Sequence, residues 1–300
     1  MAAMTAVPAG LLASGAWRRA GPDGLHWVES LPRTFDRLRE RWSLVPDGPA
    51  WHGHHAMVQP VRRDGEPLVL KVSWPDEDID SEARTLSIWD GRDAVRLVAS
   101  EPAEHALLLE RADPGRSARS ADVEGALPLL GGLLRRMAVP APDGLRRVSA
   151  VAAGIRETLT ERWDAAEHPF PRSLADRVEH LAGELSELAD PYLVNRELAY
   201  RKVLAADRAP WLVISPRAVA GPLEFQVAPL LWTRLDEIGG RTAVLRQFRR
   251  LVVAAGLDRD LARSWTVVRS ADHLLTGLAA GYTEEPVRCR LLLDTFSGAR

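Results

Sequence analysis

The sequence predicts an α+β fold with two lobes, a small N-terminal lobe rich in strands and a larger helical C-terminal lobe. In the first third of the chain, short apolar runs alternate with Gly, Pro and Asp turns, which is typical of antiparallel strands. After residue 121, apolar residues recur at spacings of three and four, which is typical of amphipathic helices. We expect an irregular N-terminus over 1–24, an N-lobe over 25–111 and a C-lobe over 112–300.

The composition is that of an ordinary globular protein, with 46% hydrophobic and 27% charged residues. A formal net charge of −2 gives no basic footprint, so nucleic acid is not an expected partner. No apolar run approaches the roughly 18 residues that a membrane-spanning helix needs, so a membrane is not expected either. The single cysteine, Cys289, excludes an intramolecular disulfide and favours a reducing, cytoplasmic location.

The N-lobe is predicted to begin with a helix over 25–42, because Trp27, Leu31 and Phe35 recur at helical spacing. Asp64-Gly65 between two apolar runs predicts a β-hairpin turn. The remaining elements of this lobe are predicted as strands over 51–62, 67–74, 94–100 and 105–110 and a helix over 76–89.

Lys71 lies inside the apolar strand LVLKVSW. A buried lysine requires a counter-charge, and Glu82 on the next predicted helix is the natural partner. The segment from Glu110 to Ala112 follows the last strand of the N-lobe, where the chain crosses into the C-lobe.

The C-lobe is predicted to be mainly helical, and Trp232, Phe248 and Trp265 fall at helical spacings that indicate core positions. The predicted helices cover 121–137, 148–163, 173–189, 223–238, 243–255, 258–282 and 286–296.

Residues 191–232 interrupt this helical pattern. A short apolar strand enters a polar loop over 195–202, and a second strand is predicted over 203–206. A third strand over 211–214 ends in Ser215-Pro216, and the segment GPLEFQVAPLLW follows.

This arrangement resembles the streptomycin 6-phosphotransferase and hydroxyurea phosphotransferase family, a branch of the aminoglycoside phosphotransferases. That family typically carries a loop reading HGDLHxxN, a strand ending IDP and a segment like GxPxFDVAPLLW. The positions that match its framework are Leu198, Val203, Leu204, Trp211, Leu212, Ile214, Pro216, Gly221, Phe225 and 227–232. The resemblance covers about residues 27–290 and implies a protein-kinase-like fold.

The resemblance implies a nucleotide site in which Lys71, paired with Glu82, binds phosphates, while the backbone from Glu110 to Ala112 holds a purine. It also implies which positions carry the chemistry, and this chain differs from the family at each of them. The residues at these positions are Asn195 and Arg196 for the loop's His and Gly, Glu197 for the base Asp, Ala199 for the second His, Lys202 for the metal-binding Asn, Ser215 for the Asp of IDP and Gln226 for the Asp of FDVA.

These replacements predict lost catalysis. Phosphoryl transfer needs Mg²⁺ on hard oxygen ligands and a carboxylate that receives the acceptor's proton. Lys202 cannot coordinate a metal, and Ser215 offers only a neutral oxygen. The carboxylate of Glu197 lies one methylene further out, and a misplacement of about 1 Å can cost about 10²-fold in rate. Ala199 and Gln226 indicate that the hydrogen bonds bracing the loop have gone.

We therefore expect a pseudokinase that acts as a ligand-binding or regulatory protein in secondary metabolism. Its expected ligands are ATP bound without Mg²⁺, another small molecule or a protein partner. One alternative is an active ATP-dependent phosphotransferase that uses Glu197 as base on a hydroxyl of an aminoglycoside or other small molecule, in antibiotic resistance or secondary metabolism. Another is a different chemistry on the same scaffold around Lys202, whose pKa would fall on burial.

The resemblance also implies an acidic acceptor site on the larger lobe, because aminoglycosides are cationic. Asp236, Glu237 and Asp272 are candidates for it. A solvated helix face explains these three carboxylates equally well.

Overall fold

The computed structural model describes residues 5–14, 17, 21–53, 55–75 and 79–298. Its contacts divide the chain into two compact units, Met1–Gly115 with Leu204–Ile214, and Arg116–Val203 with Ser215–Arg300. The sequence placed 204–214 in the C-lobe, whereas the structure groups it with the first unit. The reason is a parallel bridge between Val213 and Ala94, in which Val95 N–H donates to Val213 O at 3.1 Å.

The first unit contains an antiparallel sheet with the strand order β1-β3-β4-β6-β5, and β2 pairs with β3. These strands are β1 Val45–Pro46, β2 Trp51–His52, β3 Ala56–Arg63, β4 Glu66–Ser73, β5 Leu97–Glu101 and β6 Ala106–Glu110. The predicted hairpin is confirmed. Asp64 and Gly65 join β3 to β4 with φ of 52° and 84°, the left-handed pair that a two-residue type I′ turn requires.

The helices of the first unit pack on this sheet and differ from prediction at the N-terminus. They are α1 Ala9–Ser14, α2 Pro22–Arg41 and α3 Ile79–Trp89, with a 3₁₀ turn at Pro102–Glu104. The predicted start of α3, residues 76–78, lies outside the described residues. The expectation of an irregular N-terminus is wrong for α1, because Leu11 is fully buried and its carbonyl accepts the Trp17 indole N–H at 3.1 Å.

The core of the first unit lies between α2 and one face of the sheet. Leu31 and Phe35 of α2 are fully buried against Leu68, Leu70 and Val72 of β4. Side chains alternate between faces along a strand, so Lys71 lies on the face of β4 opposite this core.

The second unit consists mainly of helices, with the short strands that carry the polar loop. Its helices are α4 Val123–Arg136, α5 Val148–Ala165, α6 Arg172–Ser186, α7 Val227–Trp232, α8 Leu235–Ile238, α9 Arg241–Ala255, α10 Arg259–Ala279 and α11 Glu284–Ser297. The later strands of the chain are β7 Asp113–Ser117, β8 Tyr192–Asn195, β9 Val203–Ala205, β10 Leu212–Val213 and β11 Ala218–Gly221. Among the described residues, no helix is both long and apolar enough to cross a membrane.

Strand β11 was not predicted, and it positions the loop. It pairs antiparallel with β8, in a register that sets Ala218 opposite Asn195. This pairing places the first residues of the loop beside Arg217, more than twenty positions later in the chain.

The predicted helix over 223–238 is wrong as a single element. A 3₁₀ turn at Leu223–Gln226 precedes α7, and α8 follows after a break at Arg234. Pro229 has no N–H to donate and stands in the first turn of α7, where that N–H has no helical partner. A continuous helix from residue 223 would place the same proline in its interior.

Helix α10 forms the centre of the second unit and packs against α5, α6, α7, α9 and α11. Trp265 on α10 is fully buried and meets Phe225 edge to face, with ring centroids 5.1 Å apart. Trp232 and Phe248 are also buried, so the prediction of these aromatic residues as core positions is confirmed.

Replacing Phe35 with alanine should lower the free energy of unfolding by about 3–5 kcal/mol, because the site is fully buried and a cavity would remain. Leu25→Ala on the same helix is the matched control, since Leu25 is 55% exposed and should change stability by less than about 0.5 kcal/mol. Urea unfolding of both variants would measure this. Equal losses would contradict the placement of the core.

Candidate active site

The Lys71–Glu82 pair predicted from the sequence is present in the first unit. Lys71 Nζ lies 2.5 Å from Glu82 Oε2, and the two side chains are 10% and 8% exposed. Strand β4 supplies the lysine from its face away from the α2 core, and α3 supplies the glutamate. Buried charges are stable only when paired, so each residue holds the other in place.

Glu110 has a structural role in the first unit. Its carboxylate accepts two hydrogen bonds from Arg208, at 2.8 and 2.9 Å, and one from Arg96 N–H at 3.0 Å. Burial raises the pKa of the Glu110 carboxyl, but the hydrogen bonds from Arg208 and Arg96 outweigh it, so the pKa lies below its ordinary value. Glu110 N–H donates to Arg96 O at 2.9 Å. The next two residues of the predicted purine-binding backbone, Arg111 and Ala112, are half-buried.

In the second unit, Asn195 organises the polar loop. It stands at the end of β8, is 2% exposed, and its Oδ1 accepts the N–H groups of Glu197 at 3.2 Å and Arg217 at 3.0 Å. Its own N–H donates to Gln226 Oε1 at 3.0 Å. The prediction that Gln226 leaves the loop unbraced is therefore wrong, because the amide oxygen accepts this hydrogen bond from the backbone.

Asn195 Nδ2 is buried and has no hydrogen-bond partner among the described residues. A buried donor without a partner costs about 1–3 kcal/mol. The loop therefore contains one group that an additional oxygen acceptor would stabilise.

The second half of the loop is held by a residue that the sequence did not single out. Tyr200 is 2% exposed and donates its hydroxyl to Leu230 O at 2.7 Å, which joins the loop to α7. Ala199 is buried, and its carbonyl accepts Lys202 N–H at 2.9 Å. A bulky aromatic residue in a polar loop was the available signal for Tyr200.

Three cationic side chains converge on the carboxylate at the base position. Lys202 Nζ is 2.9 Å from Glu197 Oε2, Arg217 Nε is 3.7 Å from the same oxygen, and Arg196 Nη2 is 3.8 Å from Oε1. The resemblance implied Glu197, Lys202 and Arg196, but Arg217 was missed because β11 was not predicted.

The electrostatic surroundings keep Glu197 ionised. Burial raises the pKa of its carboxyl, but Lys202, Arg217 and Arg196 lower it by more, so the pKa lies below the ordinary value of 4.5. A carboxylate with a lowered pKa is a weaker base toward a hydroxyl proton.

The side chains at the implied metal positions do not fit Mg²⁺. Lys202 places an ammonium in an ion pair with Glu197, where the family carries an amide ligand. Ser215 has a neutral hydroxyl and a φ of 47°, which is uncommon for a residue other than glycine. Mg²⁺ requires hard oxygen ligands, preferably carboxylates, so we assign no metal to these positions.

A further cation near the loop was also missed by the sequence. Arg269 of α10 donates Nη1 to Phe225 O at 2.8 Å, and its guanidinium lies 4.0 Å from the centroid of the Phe225 ring. Desolvation lowers the pKa of Arg269 to about 10, and the charges of Arg196 and Glu197 act on it. Its place within the apolar pattern of α10 was the available signal for Arg269.

The three candidate acceptor carboxylates are all paired with arginines. The ion pairs are Asp236–Arg288 at 2.5 Å, Glu237–Arg119 at 2.5 Å and Asp272–Arg162 at 2.7 Å. Their negative charge is therefore compensated within the second unit.

Sequence comparison decides the family. The model of the aminoglycoside/hydroxyurea antibiotic resistance kinases matches residues 41–276. The chain belongs to this family. It is 36% identical over 282 residues to a streptomycin 6-kinase of Streptomyces glaucescens, covering 92% of both chains. It is also 37% identical over 282 residues to a hydroxyurea phosphotransferase of Kitasatospora aureofaciens, covering 90% of this chain and 80% of that one.

Solved structures of lower sequence identity share the fold. The crystal structure of the aminoglycoside phosphotransferase APH(4)-Ia gives a TM-score of 0.60 at 16% identity, over 89% of this chain and 99% of that one. A putative fructosamine-3-kinase from Thermobifida fusca gives 0.54 at 19% identity, over 87% and 96%. The predicted kinase-like α+β fold is confirmed.

The lowered pKa of Glu197 predicts a pH dependence of stability. A carboxyl whose pKa falls on folding contributes stability above its unfolded pKa, and this contribution is lost as the pH drops through the folded pKa, here below 4.5. Wild type should therefore lose more stability between pH 6 and pH 3 than Glu197→Gln. Thermal unfolding across this range would measure the difference.

The control for this experiment is Glu187→Gln, because Glu187 is an exposed carboxylate of the same unit. Its pH profile should follow that of the wild type. Parallel profiles for wild type and Glu197→Gln would show that the three cations do not stabilise the charged carboxylate.

Proposed function

We propose that this member of the antibiotic resistance kinase family is a pseudokinase, which binds a ligand but does not transfer phosphate. The observation that carries the proposal is the 2.9 Å ion pair between Lys202 and Glu197. By the resemblance, these are the positions of a metal ligand and of the catalytic base. The ion pair occupies the carboxylate of Glu197, and the ammonium of Lys202 stands where the resemblance implies a metal ligand.

The chemistry of phosphoryl transfer supports this proposal. The reaction depends on metal ions that neutralise charge developing on the phosphates and on an oriented base. Glu197 has a lowered pKa and three cationic neighbours, so it accepts a proton poorly. With Lys202 and Ser215 at the metal positions, neither requirement is met.

Nucleotide binding is part of the proposal, because the Lys71–Glu82 pair is intact. The relatives are named as kinases or phosphotransferases, which makes ATP the nucleotide to test. Binding without Mg²⁺ is proposed because the metal positions do not suit the ion. The neutralised carboxylates Asp236, Glu237 and Asp272 favour a ligand other than a cationic aminoglycoside, and a regulatory role in secondary metabolism follows as a proposal.

The second candidate is an active phosphotransferase, favoured by two observations. Glu197 remains a carboxylate at the base position, and Lys71 retains its glutamate partner. In this case Glu197 would have to leave Lys202 during turnover, and another group would have to hold the metal.

An assay of turnover separates the two candidates. Purified protein with ATP, Mg²⁺ and streptomycin or hydroxyurea should yield no phosphorylated product by mass spectrometry. A Mg²⁺-dependent product that disappears in Glu197→Ala would establish the active phosphotransferase instead.

Calorimetric titration tests the nucleotide. ATP should bind with similar affinity in EDTA and in Mg²⁺, and Lys71→Met should weaken binding about tenfold or more, because a buried phosphate-binding charge is lost. The control is Arg84→Met, which removes an exposed cation from α3 and leaves both Lys71 and Glu82 in the chain. An unchanged affinity in Lys71→Met would remove Lys71 from the nucleotide site.

Restoring the family's ligands should restore metal dependence. We expect the double variant Lys202→Asn, Ser215→Asp to bind ATP more tightly in Mg²⁺ than in EDTA, because it regains an amide and a carboxylate oxygen. The same titration of Arg201→Asn, Ser215→Asp is the control, since Arg201 is the exposed neighbour of Lys202. If neither variant responds to Mg²⁺, these two positions do not explain the loss of the metal site.

A further inference from the structure

Four residues of the second unit form a compact charged group, here called the Glu197 cluster: Arg196, Glu197, Lys202 and Arg217. All three cations approach the same carboxylate within 3.8 Å. Within the cluster, three positive side chains face one negative side chain. Such a ring of donors around a carboxylate is also the arrangement that binds the oxygens of a phosphate.

The backbone of the cluster is fixed before any ligand arrives. Asn195 Oδ1 accepts the N–H groups of both Glu197 and Arg217, and Ala199 O accepts that of Lys202. Less conformational freedom is then lost when an anion binds, which favours affinity.

The anionic member of the cluster is its most exposed member. The Glu197 side chain is 43% exposed, whereas those of Lys202 and Arg217 are 16% exposed and that of Arg196 is 29% exposed. The carboxylate therefore lies on the solvent side and can rotate away while the cations stay in place. Asn195, at the start of the same loop, has a buried Nδ2 without a hydrogen-bond partner among the described residues.

We propose that the Glu197 carboxylate is the internal occupant of a phosphate-binding subsite, and that a phosphoryl group displaces it and binds Arg196, Lys202 and Arg217 without Mg²⁺. This inference deepens the proposed function, because it names the ligand chemistry of the same site. The cations take over the neutralising role that the metal has in active kinases.

A phosphoryl dianion is favoured over a carboxylate at these residues. It offers three oxygens to two guanidinium groups and an ammonium, and arginine binds phosphate with paired, charge-assisted hydrogen bonds. Glu197 competes with an external anion from within the chain, because it already contacts the same cations. Removal of this internal competitor should therefore strengthen binding of the external anion.

The test is calorimetric titration of the full-length protein with inorganic pyrophosphate in EDTA. Glu197→Gln should bind pyrophosphate about tenfold more tightly than wild type. Lys202→Gln and Arg217→Gln should each bind it about tenfold more weakly. The control Arg201→Gln, which removes an equal charge from an exposed neighbouring position, should stay within about twofold of wild type.

Thermal unfolding of each variant shows whether it is folded at the titration temperature. If Glu197→Gln is folded and binds pyrophosphate no more tightly than wild type, the inference is wrong. It is equally wrong if Arg201→Gln weakens binding as much as Lys202→Gln, because general surface charge would then explain the effect. If Glu197→Gln proves unstable, a loss of affinity in Lys202→Gln and Arg217→Gln but not in Arg201→Gln supports the subsite, and unchanged affinity in all three overturns it.

Parallel titrations with ADP and with a sugar phosphate show which molecule supplies the phosphoryl group. The turnover assay remains a separate measurement. Phosphate transfer together with tight pyrophosphate binding would reject the pseudokinase and support the subsite. No transfer and no pyrophosphate binding would support the pseudokinase and reject the subsite.

Discussion

The arrangement of the candidate site depends on one side-chain oxygen, Asn195 Oδ1. It accepts the N–H groups of Glu197 and Arg217, which are separated in the chain by residues 198–216. Gln226, which ends the 3₁₀ turn before α7, accepts a hydrogen bond from Asn195 N–H and so holds Asn195 in place. The residues that the resemblance implies for the base and the metal ligands are replaced, yet the loop keeps a defined shape through these amide contacts.

The residues that hold the loop backbone are therefore different from the residues that carry its charges. The side-chain amides of Asn195 and Gln226 make neutral hydrogen bonds that hold the backbone without a metal. Charged side chains at the neighbouring positions then pair with one another. The fold of the family is thus maintained here by interactions that differ from those the family motif implies.

The fold could be predicted from the sequence because its signals are local. The Asp64-Gly65 turn, the α2 periodicity and the helical pattern of α10 each depend on residues close together in the chain. The prediction of one helix over 223–238 was wrong because periodicity alone does not show where a helix begins relative to Pro229. Helix α1 was not predicted, because its short apolar segment is stabilised by tertiary packing rather than by a helical pattern of its own.

The candidate site was only half predictable. Family resemblance located Asn195, Glu197 and Lys202, since these occupy motif positions. The partners that decide their behaviour were not located, because Arg217 and Arg269 reach the loop only after β11 and α10 have folded. The role of Gln226 was misjudged for a related reason: an amide oxygen can replace a carboxylate as an acceptor from backbone N–H, although it cannot replace its charge.

The hydrogen bonds between Arg208 and Glu110 have a consequence for how the chain folds during synthesis. Residues 204–214 complete the first unit, although they are synthesised after more than half of the second unit. A growing chain therefore cannot finish its N-terminal part until the ribosome has passed residue 214, and domains that fold as they emerge do so from the N-terminus. A fragment that stops at residue 115 would lack Arg208, which donates to the Glu110 carboxylate, and Val213, which bridges to Ala94, so no single cut of the chain yields two complete units.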